Sequence, residues 1–290
     1  MTLPENLLNA INGTLHVNAP ALPSCALVFD SPHSGLTLPD GFKPSVDAAM
    51  VRQASDTYVD ELFAAAPDIG APLLVAEFPR SYLDVNRAVD DVDVSMIAGE
   101  WPHPVRPSAA THRGMGLAWK YAWGDVLMHD TPISVAEMEH RIAAFWHPYH
   151  DRLRALLDHT FDTYGRVYHV NCHSMPEFGH KLSPDPAGTR RADFVIGDGD
   201  GTTCDSAFVD CICSAAESLG YSVKRNDPFK GANLIRDYSD PARGRNSVQI
   251  ELNRALYMNE VTRERSSGFA ALTRDLTSLM KTMREFVETA

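Results

Sequence analysis

Val28-Phe29-Asp30-Ser31-Pro32-His33-Ser34-Gly35 is an apolar, β-prone run that stops at a histidine, then a serine, then a residue that turns the chain. Val167-Tyr168-His169-Val170-Asn171-Cys172-His173-Ser174-Met175-Pro176 repeats that shape. A histidine at the C-terminal end of a buried strand is held on a rigid element and faces the crevice where open α/β sheets bind ligands. A third run, Ser247-Val248-Gln249-Ile250-Glu251-Leu252-Asn253-Arg254, sets a carboxylate among apolar residues in a similar setting. Together the three predict a buried sheet with its chemistry at the strand ends.

Outward from these runs, strand and helix signals alternate, which predicts an α/β sheet and not segregated layers. Strands are expected over 26–30, 73–78, 166–171, 194–197, 221–225 and 248–252. A helix is expected over 48–66, where Tyr58, Val59, Leu62 and Phe63 recur in helical rhythm. Another runs from 135 to about 164, with Ser134 and Glu137 as a capping box, Pro148 as a kink and Gly165 as its stop. Helices over 206–219, capped by Gly220, and over 260–289 complete the set. The last is amphipathic through Leu272, Leu276, Met280, Met283 and Phe286. No repeat, low-complexity tract or linker divides the chain, so residues 1–290 read as a single domain. Stretches 88–115 and 176–205 are rich in Gly, Pro and Asp and resist regular assignment. Loops this long are usually lids or binding loops, and these are expected to cover the strand ends.

A chain of 290 residues can bury about three quarters of its unfolded surface. The net charge of -12 argues against a nucleic-acid partner, which needs a basic surface. It does not exclude a small anionic substrate drawn in by a local arginine cluster. No stretch approaches the roughly 20 apolar residues of a membrane helix, so no membrane partner is expected. The segment Met1-Thr2-Leu3-Pro4-Glu5-Asn6 has neither a basic region nor a long apolar core, which reads as no signal peptide and a cytoplasmic protein. Cys25, Cys172, Cys204, Cys211 and Cys213 are odd in number and scattered, which predicts free thiols. Nothing in the sequence sets the oligomeric state.

His33 and His173 are candidate metal ligands, because neutral imidazole is the commonest metal ligand and a strand end holds it rigidly. Asp56 stands in a helical stretch that can face the sheet, and Asp60 lies one turn later on the same face. Either completes a set of two histidines and one carboxylate, which leaves a fourth position on zinc (Zn2+) open for water. Other divalent metals accept the same donors. Glu251 is either a general base or half of a structural ion pair with Arg254. Arg80-Ser81-Tyr82-Leu83-Asp84-Val85-Asn86-Arg87 follows the 73–78 strand and offers two guanidinium forks for an anion, with Arg243 and Arg245 as further donors. Cys172 is set aside as a nucleophile, since adjacent strand residues point to opposite faces. Ser34 and Ser174 lack a nucleophile-elbow pattern.

These segments resemble the N-formylglutamate amidohydrolases (N-formylglutamate deformylases). The resemblance rests on Ser31-Pro32-His33-Ser34-Gly35, Ser55-Asp56-Thr57-Tyr58-Val59-Asp60, the stretch from Arg80 to Arg87, His173-Ser174-Met175-Pro176, Asp193-Phe194-Val195-Ile196-Gly197-Asp198, Asn226-Asp227-Pro228-Phe229-Lys230-Gly231 and Gln249-Ile250-Glu251-Leu252-Asn253-Arg254-Ala255-Leu256-Tyr257-Met258. They fall in family order from residue 28 to about 258. The resemblance implies one mixed, largely parallel sheet with helices on both faces, as in the related zinc carboxypeptidases and aspartoacylases. It implies one zinc bound by His33, Asp56 and His173, Glu251 as general base, and a substrate carboxylate held by Arg87 with Asn86. Arg80, Arg243 or Arg245 is then available to a second carboxylate. The implied reaction is hydrolysis of N-formyl-L-glutamate to L-glutamate and formate, in histidine degradation in the cytoplasm. A deacylase for another N-acyl amino acid and a non-catalytic anion binder on the same fold are the competing readings. In the wider superfamily the first histidine and the acid often stand close together, whereas Asp56 follows His33 by 23 positions. Asp60 is therefore kept as the substitute ligand.

Overall fold

The three runs quoted above lie side by side as the central strands of a seven-stranded sheet. A computed structural model describes residues 3–22 and 24–289, apart from the side chain of Trp123. Met1 and Thr2, which open the N-terminal segment read above, lie outside the described residues. The strands are β1 (Leu15–Asn18), β2 (Leu27–Ser31), β3 (Leu73–Ala76), β4 (Val167–Met175), β5 (Phe194–Gly197), β6 (Val223–Arg225) and β7 (Arg245–Asn253). Their order in space is β1-β3-β2-β4-β7-β5-β6. β1 runs antiparallel to β3, and β5 antiparallel to β7; every other neighbouring pair is parallel. Every residue of β2, β3 and β4 is buried. That is why these segments read as near-continuous apolar runs: parallel strands are covered on both faces.

The helices are α1 (Glu5–Leu8), α2 (Ala48–Gln53), α3 (Val59–Leu62), α4 (Val135–Arg141), α5 (His147–Tyr164), α6 (Ser206–Ser218), α7 (Asn233–Asp237) and α8 (Phe269–Thr289). α3, α6 and α8 cover one face, packing on Leu27, Phe29, Val170, Ile196, Val248 and Ile250. α1, α4, α5 and α7 cover the other, around Val28, Leu74 and Val167. Among the described residues no helix is long and apolar enough to cross a membrane. All five cysteines are free.

Several helix expectations need correction. The helix expected over 48–66 is two short ones, α2 and α3, separated at residues 54–58. Tyr58 sits there with φ 71, a left-handed conformation that an aromatic residue carries no sequence signal for. The expected 135–164 helix is α4 and α5 joined by a π-helical turn, Ile142–Trp146, with Pro148 in the first turn of α5. Ser134 accepts from the Glu137 backbone N as expected, but the Glu137 carboxylate pairs with Arg141 instead of closing a capping box. The C-terminal helix begins at Phe269, not near 260. β4 runs on to Met175, so His173 lies inside the strand and not just beyond it.

Strand alternation sorts the side chains. Tyr168, Val170 and Cys172 go to the α6/α8 face, which leaves His169, Asn171 and His173 on the other. On β7, Ser247, Gln249 and Glu251 share that second face. The parallel register sets Glu251 beside His173, Gln249 beside Asn171, and Asp30 of β2 on the far side of Asn171. A polar ladder is thus built into the sheet. Buried polar groups need partners, and these have them. Asp30 accepts from His169 Nε2 (2.9 Å), Asn171 Nδ2 (2.7 Å) and Tyr149 OH (2.8 Å). Ser247 Oγ bonds His169 Nδ1 at 2.6 Å.

Candidate active site

The ladder determines which nitrogen of each histidine is free. Burial pushes the Asp84 carboxyl up, but the charges of Arg80, His33 and Arg87 outweigh it and hold the group well below the usual carboxylate range. An ionised Asp84 can only accept, so His33 donates to it from Nε2, at 2.6 Å. On the other ring, Asn171 gives its NH2 to Asp30 and therefore turns its oxygen to His173 Nε2, at 2.7 Å. That nitrogen carries the proton. With both Nε2 atoms turned away, the two Nδ1 atoms face each other across 3.1 Å, placed to offer lone pairs to a cation between them.

Asp56 joins them. Its backbone N donates to His33 O, which brings the 54–58 break against the strand ends. Asp56 Oδ2 lies 3.0 Å from His173 Nδ1 and 3.6 Å from His33 Nδ1. Burial raises this carboxyl, yet bonds to His173 and His33 and the charges of Arg80 and Arg254 hold it well below the usual range. Burial lowers His173 to about 4 against the pull of Asp56, so the ring is neutral, the form that ligates. Three nitrogen and oxygen atoms this close repel unless a proton or a metal cation lies among them. Tetrahedral ligands about 2.0–2.1 Å from one zinc stand roughly 3.3 Å apart, and the separations here are 3.0–3.6 Å. The residues fit a divalent ion, and each imidazole is braced on its far side by Asp84 or Asn171, as metal-ligating histidines are. Asp60 is not in the cluster. It sits half-buried on α3, so Asp56 is the acid that meets the histidines.

Above this set opens a cavity of about 450 Å³ lined by His173, Arg80, Arg87, Glu251 and Arg254, among others. That size suits a small molecule. Burial and then the Asp56 charge push Glu251 up to about 8, against the arginines around it. Gln249 donates from Nε2 to Glu251 Oε1 at 2.8 Å. The two long stretches expected to cover the strand ends do so: 88–115 supplies Asp91, Arg113 and Met115 to the walls, and 176–205 supplies His180 and Arg191.

The other expected residues divide. Arg80 binds Asp84 at 2.9 Å and approaches Asp56 at 3.7 Å, so it holds the ligand set as well as lining the cavity. Asn86 also lines it, but its Oδ1 takes the Leu234 N–H and its Nδ2 lies 3.1 Å from His173 Nε2. Its NH2 donates to Asn171 Oδ1 at 3.5 Å, the oxygen that meets the ring, so the side chain is not free for substrate. Arg87 donates to Met115 O and Asn86 O and, among the described residues, makes no salt bridge. Arg243 and Arg245 are not in the cavity. Arg243 is 83% exposed beside Asp240, and Arg245 pairs with Asp158 at 2.8 Å. Arg245 opens β7 and Glu251 stands six positions on, roughly 20 Å at 3.3 Å per residue. Sequence reasoning gave no role to Asp84, Asn171, Gln249 or Arg113. It treated Arg254 only as a partner for Glu251, whereas Arg254 binds Asp56 Oδ1 at 2.8 Å.

A buried His-Asp-His cluster on the strand ends of a mixed α/β sheet, under an arginine-walled cavity, is the kind of site found in enzymes that act on small molecules. The comparisons give the particular family. The sequence profile of the N-formylglutamate amidohydrolases matches residues 25–258. The N-formylglutamate deformylase of Pseudomonas putida is 29% identical over 236 residues, 81% of this chain and 82% of that protein. The crystal structure of N-formylglutamate amidohydrolase from Ralstonia eutropha JMP134 superposes with a TM-score of 0.92 at 41% identity, covering 96% of this chain and 99% of that one. The Agrobacterium tumefaciens gene product Atu2144 shares the fold, with a TM-score of 0.70 at 19% identity over 99% of this chain and 100% of that one. The chain belongs to the N-formylglutamate amidohydrolase family.

Proposed function

We propose that this enzyme hydrolyses N-formyl-L-glutamate to L-glutamate and formate with one divalent metal, zinc, held by His33, Asp56 and His173. The observation that carries the reading is the convergence of three ligand atoms, from His33, Asp56 and His173, beside a glutamate that lines the same cavity as His173. Bound there, the metal supplies a Lewis acid for the formyl carbonyl and lowers the pKa of water toward about 7. Glu251 takes the proton from the attacking water and returns it to the leaving amine. Its raised affinity for a proton suits both halves of that exchange, and Gln249 fixes its orientation. Asp84, Asn171 and Arg254 hold the ligand set rigid, and Arg80 ties Asp84 to the cavity wall. Arg87 orients the substrate through its α-carboxylate by a two-pronged contact. Such a reaction suits a step of histidine degradation in the cytoplasm.

The test is metal content of the purified protein, with formate release from N-formyl-L-glutamate measured before and after chelation. About one zinc per chain, and activity lost on chelation and restored by zinc, is the expected result. Full activity in the stripped protein would sink the metal assignment. Comparing N-formyl with N-acetyl substrates separates this reaction from deacylation of another N-acyl amino acid.

A further inference from the structure

The cavity gathers cations in a chain whose net charge is -12, and most of them already have anions. Arg80 and Arg254 are committed to Asp84 and Asp56. Arg191 binds Asp185 at 2.8 Å, Arg106 reaches Asp90 at 3.4 Å and Lys230 meets Asp200 at 2.9 Å. Among the described residues that leaves Arg87, Arg113 and Arg236 without a carboxylate, and Arg236 is exposed to solvent. Arg113 is not: it is half-buried, and its Nε is a buried donor with no partner.

The loop that carries Arg113 is built to hold it there. Arg113 ends a short helical turn, Thr111–Arg113. Asp91 Oδ1 accepts from Ser108 N at 2.6 Å and from Thr111 Oγ1, pinning the start of that turn. Met115 O, two residues beyond Arg113, receives Arg87 Nε at 2.9 Å. The backbone oxygen that holds Arg87 is thus two residues from Arg113, and the charge of Arg113 acts on Arg87. Arg87 in turn acts on Asp84, nearer the ligand set. The charges of Asp84 and Asp91 offset that of Arg87, but among the described residues no carboxylate pairs with Arg113, and its buried Nε is left for an incoming anion.

Resting on the reading of the site given above, we infer that Arg113 is the specificity-determining residue for a second carboxylate, the one on the substrate side chain. Arg87 takes the α-carboxylate beside the reacting amide, and Arg113 takes the γ-carboxylate farther out.

The test compares L-glutamate with L-norvaline, which lacks only the distal carboxylate, by calorimetric binding to the zinc-loaded protein and to Arg113→Gln. The kinetic arm compares N-formyl-L-glutamate with N-formyl-L-norvaline. Removing a charge-assisted contact is expected to shrink the preference for the dicarboxylate by on the order of 10- to 100-fold in both arms. Arg113→Lys, which keeps the charge and loses the fork, is expected to restore part of it. An unchanged glutamate-to-norvaline ratio in Arg113→Gln, with deformylase activity present in the parent protein, overturns this inference and leaves the reaction standing. A parent protein that binds glutamate selectively but turns nothing over supports the clamp and removes the hydrolase reading. No preference for the dicarboxylate over norvaline in either arm of the parent protein overturns this inference, while formate release from N-formyl-L-glutamate decides the reaction separately.

Discussion

His33 donates from Nε2 to Asp84 Oδ1 across 2.6 Å, and neither side chain has any exposure to solvent. This bond leaves Nδ1 to face His173 and Asp56 and makes the ring a better electron-pair donor. Asp84 is itself held by Arg80, the Trp119 indole N–H and the Asn86 backbone N–H. Asp84→Asn keeps the shape and removes the charge. Zinc affinity, measured by competition with a chromophoric chelator, is expected to fall by about 10- to 100-fold. An affinity within twofold of the parent protein would show that the carboxylate has no hold on the metal.

Asp56 and Asp60 make opposite predictions. Asp56 stands at the meeting point of His33 and His173, with Arg254 on its other oxygen. Asp56→Asn is expected to abolish stoichiometric metal binding. It also leaves the buried Arg254 uncompensated, at a cost of about 3 kcal/mol in denaturant unfolding. Asp60→Asn is expected to bind metal normally. Metal analysis of the two purified variants decides it, and loss of metal from the Asp60 variant would reverse the assignment.

Glu251→Gln is expected to keep its metal and lose about 10²- to 10⁴-fold in kcat. Burial and the charge of Asp56 push the glutamate up to about 8, so the protonated acid and the amide are similar in charge and shape. The fold is expected to tolerate the change. Near-normal turnover with normal metal content would remove Glu251 from the proton-transfer role.

The central sheet was readable because β2, β4 and β7 are buried on both faces, so their sequences are apolar runs whose polar residues stand out. His33, His173 and Glu251 were readable for the same reason. Asp56 was found, but on a helix that does not exist there; the chain breaks at Tyr58, whose left-handed backbone has no glycine or asparagine to announce it. Asp84 and Arg113 were passed over because their roles depend on partners 51 positions away, in the case of Asp84 and His33, or on having no ionic partner at all. Arg243 and Arg245 were drawn in by nearness in sequence to Glu251. An extended strand turns that nearness into distance.

His150 gives a pH prediction. Its Nε2 donates to Val85 O at 2.8 Å, its Nδ1 meets Tyr238 OH at 2.8 Å, and the ring stacks on Trp146 at 3.6 Å. Burial lowers its pKa to about 4, against about 6.5 in the unfolded chain. A depressed folded pKa means stability that is fully present above about 6.5 and lost as pH falls toward 4. Between pH 7.5 and pH 5 this one group accounts for about 2 kcal/mol. His150→Gln is expected to be less stable at neutral pH, yet to lose about 2 kcal/mol less than the parent protein over that interval in urea unfolding. Parallel pH profiles for the two proteins would contradict the buried neutral ring.

Gly35 tests how the first ligand is held. A Cβ there would lie 2.3 Å from the Glu77 carbonyl carbon and 2.5 Å from Phe78 N, both backbone atoms that cannot step aside. The strand-end segment and the start of the 77–78 loop therefore touch main chain to main chain, a contact that Thr37 N reinforces by donating to Glu77 O at 2.9 Å. His33 is two residues before Gly35, and Ser55 Oγ donates to Gly35 O beside Asp56. Gly35→Ala must push this segment off the 77–78 loop, moving His33 and disturbing Asp56 through the Ser55 bond. The expected result is a loss of about 3 kcal/mol in unfolding free energy together with weakened zinc binding. Gly41→Ala is the control: its backbone has φ 80 and nothing lies within 4 Å of the added carbon. It is expected to cost about 1–2 kcal/mol of backbone strain and to leave zinc affinity unchanged. Equal zinc affinity in both variants would mean that the ligand geometry does not depend on the close approach at Gly35.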